Sequence, residues 1–266
     1  MQENTGNKFE KFVNSSGFPL QIGLTHLIEK TRNEHGWKVL SSEHPWKHPV
    51  TGSNGFIDLI LVHENGVQIM VIECKRVLNT FWTFLIPSKE TKLRRHVNSW
   101  VTLTQNNQVK RFNWIDVNPE PVSPESKFCV VPGQDNKSKP MLERTSSDLV
   151  EAAEAFAKEE CIINKPGNEF LRIYFQVIIT TAELKICNFD PEEINIETGE
   201  ISNSSFETVP FVRFRKSLTT HHNPSSYQNL SDLIQAQERT ILVINANEIV
   251  NILKEWDLGQ LPYGIL

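Results

Sequence analysis

Two apolar runs, FIDLILVHE (residues 56–64) and VQIMVIECK (residues 67–75), are separated only by Asn65-Gly66, and no other feature constrains the fold as tightly. Asn-Gly between strand-forming runs signals a hairpin, because both residues accept the backbone conformations that a tight turn requires. A two-residue turn pairs Glu64 with Val67 and, counting back along both strands, sets Asp58 opposite Glu73. Strand side chains alternate, so Lys75 shares the face of both carboxylates, while Cys74 points into the opposite layer with Ile72 and Met70. Elsewhere both faces of the hairpin are apolar, with Ile60, Val62, Ile69 and Val71 on one and Leu59, Leu61 and Ile72 on the other. That pattern belongs to a central strand pair covered on both sides. Three charged groups therefore meet at the edge of a core.

Two carboxylates directly across a ladder repel each other, and burying them without a counter-charge costs on the order of several kcal/mol. Lys75 can neutralise one charge. A hard divalent ion such as Mg²⁺, which takes one or two carboxylates and keeps several waters, would account for the pair. The alternative is a structural bridge from Lys75 to Asp58 or Glu73 with no chemistry attached.

Around this hairpin, helix and strand signals alternate, which predicts an α/β fold. Residues 19–34 carry Leu20, Leu24, Leu27 and Ile28 at helical spacing, and residues 37–42 read as a short strand. Residues 147–160 predict a helix capped by Ser147, with Leu149, Val150, Ala153 and Phe156 on its apolar face. Residues 170–187 are β-branched and aromatic enough for one or two central strands, and residues 211–216 and 240–245 predict further strands, the last leading into a helix at 247–256. Five prolines mark residues 116–140 as irregular. The expectation is a single domain over residues 1–266, with a core at 19–76 and 147–257, an insertion at 77–146 and an acidic excursion at 186–208.

Charge is uneven along the chain. With 27 Lys+Arg against 32 Asp+Glu, the net charge of −5 excludes a uniformly basic coat protein, so any polyanion site must be local. Residues 75–115 hold eight basic residues and one acid, Glu90. Among them, Lys89, Lys92, Arg94, Arg95, Lys110 and Arg111 are candidate nucleic-acid contacts, a track beside the charged strand end. The interleaved Phe81, Trp82, Phe84, Trp100, Phe112 and Trp114 are expected in the core rather than on that surface. Arg213, Arg215, Lys216, His221 and His222 form a second, weaker basic patch. Residues 186–208 have six acids and no Lys or Arg, a solvated stretch facing away from any nucleic acid.

Other chemistries find no support. No apolar run is long enough to span a membrane, and the first residues lack the features of a signal peptide, so a cytoplasmic location is expected. The four cysteines are dispersed without CxxC spacing, which predicts free thiols and no zinc ribbon. His44 and His48 have metal-like spacing, but Pro45 and Pro49 exclude a helix there, leaving loop histidines. GxSxG, GxGxxG and Walker patterns are absent.

The segment Gly55-Phe56-Ile57-Asp58, fourteen intervening residues, then Ile72-Glu73-Cys74-Lys75 resembles the D…ExK core of the PD-(D/E)xK, or restriction-endonuclease-like, nuclease superfamily. The first helix, the hairpin, the helix from Ser147 and the strand around residues 177–181 follow that superfamily's αβββαβ order. Ile57 stands where the name motif has Pro, a departure that leaves the ligands untouched. The resemblance implies a central mixed sheet flanked by helices. It casts Asp58 and Glu73 as metal-binding carboxylates, the backbone carbonyl of Cys74 as a further ligand, and Lys75 as the group that orients or helps deprotonate the attacking water. Glu29 on the first helix would supply an acid acting through a metal-bound water, with Glu34 and Glu43 as alternatives for that role. The function implied is a Mg²⁺-dependent nuclease, with Mn²⁺ as a substitute, acting on DNA as an endonuclease in restriction or phage defence. Cutting both strands of a duplex would favour a homodimer. Two other classes stay open: a nucleic-acid-binding module of the same fold that does not cut and serves a larger complex, and a protein-interaction domain in which the charged triad is structural.

Overall fold

The computed structural model of the chain describes residues 5–105, 108–133, 140–163, 170–218 and 229–259. Helix α1 (Thr5–Ser15) leads into α2 (Phe18–Lys30), which has Pro19 in its first turn, where a missing N–H costs nothing. The short α3 (Arg32–His35) stops at Gly36, whose φ of 73° suits a residue without a Cβ. Strands β1 (Trp37–Lys47), β2 (Asn54–His63) and β3 (Gln68–Lys75) follow as an antiparallel meander. β1 runs on beyond the expected residue 42 and carries Pro45, which is tolerated because β1 is the edge of the sheet.

The hairpin register is the one read from the sequence: Leu59 pairs with Ile72, and Val62 with Ile69. Its turn is different. Gly66 donates to the carbonyl of His63 at 2.8 Å with φ 70°, and Asn65 Oδ1 accepts from Val67 N–H at 2.9 Å. Glu64 and Val67 therefore belong to a wider loop, yet the strand partners beyond it are unchanged.

From β3 the chain passes through β4 (Phe81–Ile86), β5 (Leu93–Arg94), β6 (Val97–Gln105), β7 (Gln108–Val117), β8 (Ser123–Ser126) and β9 (Phe128–Val130) before α4 (Met141–Ile163). The segment expected to be irregular thus holds two strands and the end of a third. α4 begins six residues before the expected cap. Ser147 lies inside it, its hydroxyl donating to the Glu143 carbonyl at 2.9 Å. The helix approaches the sheet closely because Ala152, Ala153, Ala155 and Ala157 are among its buried residues.

The second half supplies β10 (Phe170–Thr180), β11 (Glu183–Asn188), β12 (Ile194–Asn195), β13 (Glu200–Ile201), β14 (Ser205–Thr208), β15 (Phe211–Ser217), α5 (Leu230–Gln237), β16 (Glu238–Asn245) and α6 (Ile249–Glu255). β10 organises the main sheet. One edge pairs in parallel with β3, while the other is shared, antiparallel to β6 at Phe170–Tyr174 and parallel to β16 at Gln176–Thr180. The main path reads β1-β2-β3-β10-β16-β15-β8-β5, a large mixed sheet with helices on both faces. α4 packs on the layer of Ile60, Val71, Tyr174 and Ile178. α2 and α6 cover the layer of Leu59, Ile72, Phe175 and Val177. The fold class is α/β, as expected. The 77–146 insertion does not stand apart from it: β6 joins the main sheet, and β4 pairs with β11 in a second, four-stranded one. Trp82 and Phe84 are fully buried and Trp100 nearly so, whereas Phe81 is exposed. No helix among the described residues is long and apolar enough to cross a membrane.

The second basic patch does not form. Arg213 is fully buried and donates to Ser123 Oγ at 2.7 Å and to the carbonyls of Pro119 and Pro121 at 2.9 Å. Burial pushes its guanidinium down to about 10. Arg215 pairs with Glu238, and Lys216 with Glu143; His221 and His222 lie outside the described residues. Arg213 is thus a clamp on the β7–β8 connection. Arg213→Met should destabilise the protein by roughly 2–4 kcal/mol by orphaning those acceptors, measured by urea denaturation.

Candidate functional site

The β2–β3 ladder stops one pair short of Asp58 and Glu73, and the side chain of Asp58 takes over where the backbone bonds end. Asp58 Oδ2 accepts from the Cys74 N–H at 2.6 Å. The Lys75 carbonyl accepts from Thr181 N–H across the β10 side. Backbone groups alternate along a strand, so the Cys74 N–H and carbonyl both face β2, at the place where β2 has turned away. Lys75 Nζ reaches back to Glu73 Oε1 at 2.5 Å. Among the described residues, Asp58 Oδ1 and Glu73 Oε2 make no hydrogen bond. Each carboxylate has one oxygen held and one left over, beside an unpaired backbone edge.

The electrostatics follow from burial. Asp58 is pushed up to about 6, first by desolvation and then by the charge of Glu73; the Cys74 N–H and Lys75 oppose the rise, and Glu43 adds a little to it. The same burial, with Asp58 and Glu73 nearby, drives the Cys74 thiol up, so the sulfur is inert and only the Cys74 backbone is of use here. An excess of negative charge over what Lys75 can balance is what a divalent cation would relieve.

Sequence reasoning missed one residue of the site. Gln21, buried on α2, donates from Nε2 to the Asp58 carbonyl at 2.7 Å and fixes the helix to this strand end. A signal existed: Gln21 occupies the inward stripe of Leu24 and Ile28, where a polar side chain needs a partner. Of the three alternative acids, Glu29 accepts from the Val39 N–H at 2.6 Å beside the irregularity in β1, and Glu34 pairs with Lys254 at 2.5 Å. Glu43 falls between Ser42 and His44, which pair with Leu59 and Ile57, so it stands level with Asp58 on the neighbouring strand. Its φ of 52° turns it out of the regular pleat, and its side chain is exposed. Glu29, Glu43 and Gln21 line one groove between α2 and β1. Among the described residues, no three His, Cys, Asp or Glu side chains gather as a metal cluster, and the oxygen donors at the strand end are Asp58, Glu73 and the Cys74 carbonyl.

The basic residues are not gathered beside this site. Lys89 pairs with Asp190 at 2.8 Å, at the end of the second sheet, and Arg95 pairs with Glu120 at 2.7 Å. Lys92 is exposed. Arg94 lies on β5, five strand spacings from β3 and so ~24 Å away. Lys110 and Arg111 are on β7; Arg111 lies opposite Leu103, which pairs with Leu171 at the start of β10, the end of that strand remote from Lys75.

A cleft of about 240 Å³ opens on the α4 side of the strand end, with Glu73 and Lys75 in its wall. The end of β1 and its connection to β2 form the rim and are tied to α4: His44 Nε2 meets Glu159 at 3.0 Å, His48 Nε2 meets Glu154 at 3.2 Å, and Thr51 Oγ1 donates to Glu151 at 3.1 Å. The two histidines are therefore structural fasteners. No protein-family model, curated protein or solved structure matches the chain.

Asp58 binds its proton more tightly folded than unfolded, so the native state holds more protons between about pH 4 and 6 and loses stability as pH rises through that window. Asp58→Asn keeps an acceptor for the Cys74 N–H and removes the charge. In EDTA its stability relative to wild type should rise by about 1–2 kcal/mol between pH 4 and 7, an amount that allows for solvent screening, as read from urea denaturation at both pH values. A constant difference would contradict this account of Asp58.

Proposed function

We propose that the chain is a metal-dependent nuclease of the restriction-endonuclease-like fold that hydrolyses DNA phosphodiester bonds at Asp58, Glu73 and Lys75. One observation carries the reading: two carboxylates and a lysine converge where the β2–β3 ladder ends, with Asp58 seated on the Cys74 N–H and Lys75 2.5 Å from Glu73. The order β1-β2-β3-β10, with α2 before it and α4 crossing between the parallel strands β3 and β10, supports the same assignment.

The donor set fits a hard divalent ion. Asp58 Oδ1, Glu73 Oε2 and the Cys74 carbonyl are all oxygens, suited to Mg²⁺ or Mn²⁺ with water completing the shell. When bound, such an ion lowers the pKa of water and neutralises charge on the transferring phosphoryl group. The protein's own residues do the rest. Lys75, anchored on Glu73, places an ammonium where the attacking water and the pentacovalent phosphate need a cation and a proton relay. Gln21 and the Cys74 N–H hold Asp58 from both its carbonyl and its carboxylate, so the ligand is fixed in place before substrate arrives. A role in restriction or phage defence, with a second copy to cut the second strand, completes the proposal.

The closeness of Lys75 to Glu73 also favours a second reading, a non-cutting nucleic-acid module in which the pair satisfies itself. Incubation with supercoiled plasmid and single-stranded DNA in Mg²⁺, Mn²⁺ and EDTA separates the two. The nuclease cuts only with metal, and Asp58→Ala and Lys75→Ala each lower the rate by roughly 10²–10⁴-fold while DNA binding persists. Intact DNA in every metal, with binding retained, identifies the non-cutting module.

A further inference from the structure

Two cations that the basic track did not include stand beside the strand end. Glu73 and Lys75 line the α4 cleft, whereas Arg76 lines a different recess, of about 400 Å³, between α1 and the chain that leaves β3. Its other walls are Leu78 and, from α1, Glu10, Lys11, Asn14 and Ser15. The Cα atoms of Lys75 and Arg76 are ~3.8 Å apart, so the recess adjoins the candidate site.

Two observations single it out. The first is the pose of α1. Glu10, Lys11, Asn14 and Ser15 fall on one side of that helix, and Phe9, Phe12 and Val13 on the other. A surface helix ordinarily turns its apolar side to the protein. α1 does the reverse: Phe9 is 66% exposed and Phe12 77%, while the polar side walls the recess. The second is the state of Arg76. It is half-buried, yet among the described residues its side chain makes no hydrogen bond or ion pair, and neither does that of Lys11. Arginines of similar burial elsewhere are matched, Arg172 with Glu160 and Arg215 with Glu238. A partly desolvated guanidinium without a partner carries a cost that a bound anion removes.

The charge balance names the occupant. Lys11 and Arg76 face one carboxylate, Glu10, so the recess is net positive, the reverse of the Asp58–Glu73 side. Asn14 has an amide free to donate among the described residues, whereas the Ser15 hydroxyl is already given to the Phe12 carbonyl at 2.6 Å. We infer that the recess holds a backbone phosphate of nucleic acid, neighbouring the scissile one, with Arg76 and Lys11 as its contacts. The substrate strand then crosses the end of β3 from the α4 cleft to α1. This rests on the nuclease reading for the place of the scissile phosphate. Such contacts set the register of a strand on the protein and carry no sequence information. In a chain of net charge −5 they supply a local attraction for a polyanion.

The test is the salt dependence of DNA binding, by fluorescence anisotropy in EDTA with a labelled duplex and a labelled single strand, run beside the plasmid assay. Lys11→Gln and Arg76→Gln should each lower the slope of log affinity against log salt by about 0.7–0.9 and weaken binding roughly 5- to 8-fold at 0.1 M salt, whatever the sequence. Arg76→Lys keeps the charge and the slope, and Arg94→Gln, on the remote β5, leaves the slope at the wild-type value. Thermal unfolding of all four variants matches wild type. A slope that Arg76→Gln leaves unchanged, or a loss as large in Arg94→Gln, overturns the contact even if metal-dependent cutting is seen. Slopes lowered by Lys11→Gln and Arg76→Gln, in a protein that cuts nothing in any metal, support the contact and overturn the nuclease. Inorganic phosphate that binds wild type and not Arg76→Gln, with the DNA slopes unaltered, assigns the recess to a free anion and overturns the backbone contact. Absence of binding to either DNA overturns both readings.

Discussion

The bond from Cys74 N–H to Asp58 Oδ2 is where sheet geometry becomes site geometry. A strand leaving a ladder exposes backbone donors that must be satisfied, and here a side chain on the departing strand takes the role of the missing carbonyl. The substitution fixes the carboxylate at the sheet's broken edge and leaves its second oxygen without a hydrogen bond among the described residues. It also sets the electrostatics. Asp58 is half-buried where it does a backbone's work, that partial burial raises its proton affinity, and the backbone bond itself opposes the rise. Gln21 brings α2 to the same strand end, so the first helix, the hairpin and β10 share one fixed point.

What the sequence revealed of this arrangement was what is local. Strand period two, together with a turn of even length, determines which residues face each other. The pairing of Leu59 with Ile72 could therefore be read correctly although the turn itself proved wider than Asn65-Gly66 alone. The shared face of Glu73 and Lys75 and the two apolar layers beyond them followed from that register, whereas Asp58 turns its carboxylate onto the Cys74 N–H and Ile57 joins the layer of Ile60. The extent of α4 did not, because Ser147 is as able to bond a carbonyl within a helix as to cap its start, and nothing local decides between the two.

The misread charges share a cause. Arg213 looked like surface in a run of basic residues, but its fate depended on β15 lying inside the sheet between β16 and β8, which is a matter of strand order. Lys89 and Arg95 found partners in Asp190 and Glu120, one of them 101 residues away in the chain. Glu29 went to the backbone at Val39 because β1 is irregular there, an accident of strand geometry with no signature in the helix that carries the acid. Basic composition told of cations; their neighbours were a property of topology.

The two halves of the candidate site differ in how they come into being. Asp58 and Cys74 are separated by 16 residues, a loop short enough to close early in folding or during synthesis. The cleft beside them needs α4, whose ties to β1 and the β1–β2 connection span 100, 106 and 115 residues. A nascent chain can thus assemble the acidic strand end well before it has any wall against which a substrate could rest. The cleft is therefore completed late and in one step, when α4 docks across that span.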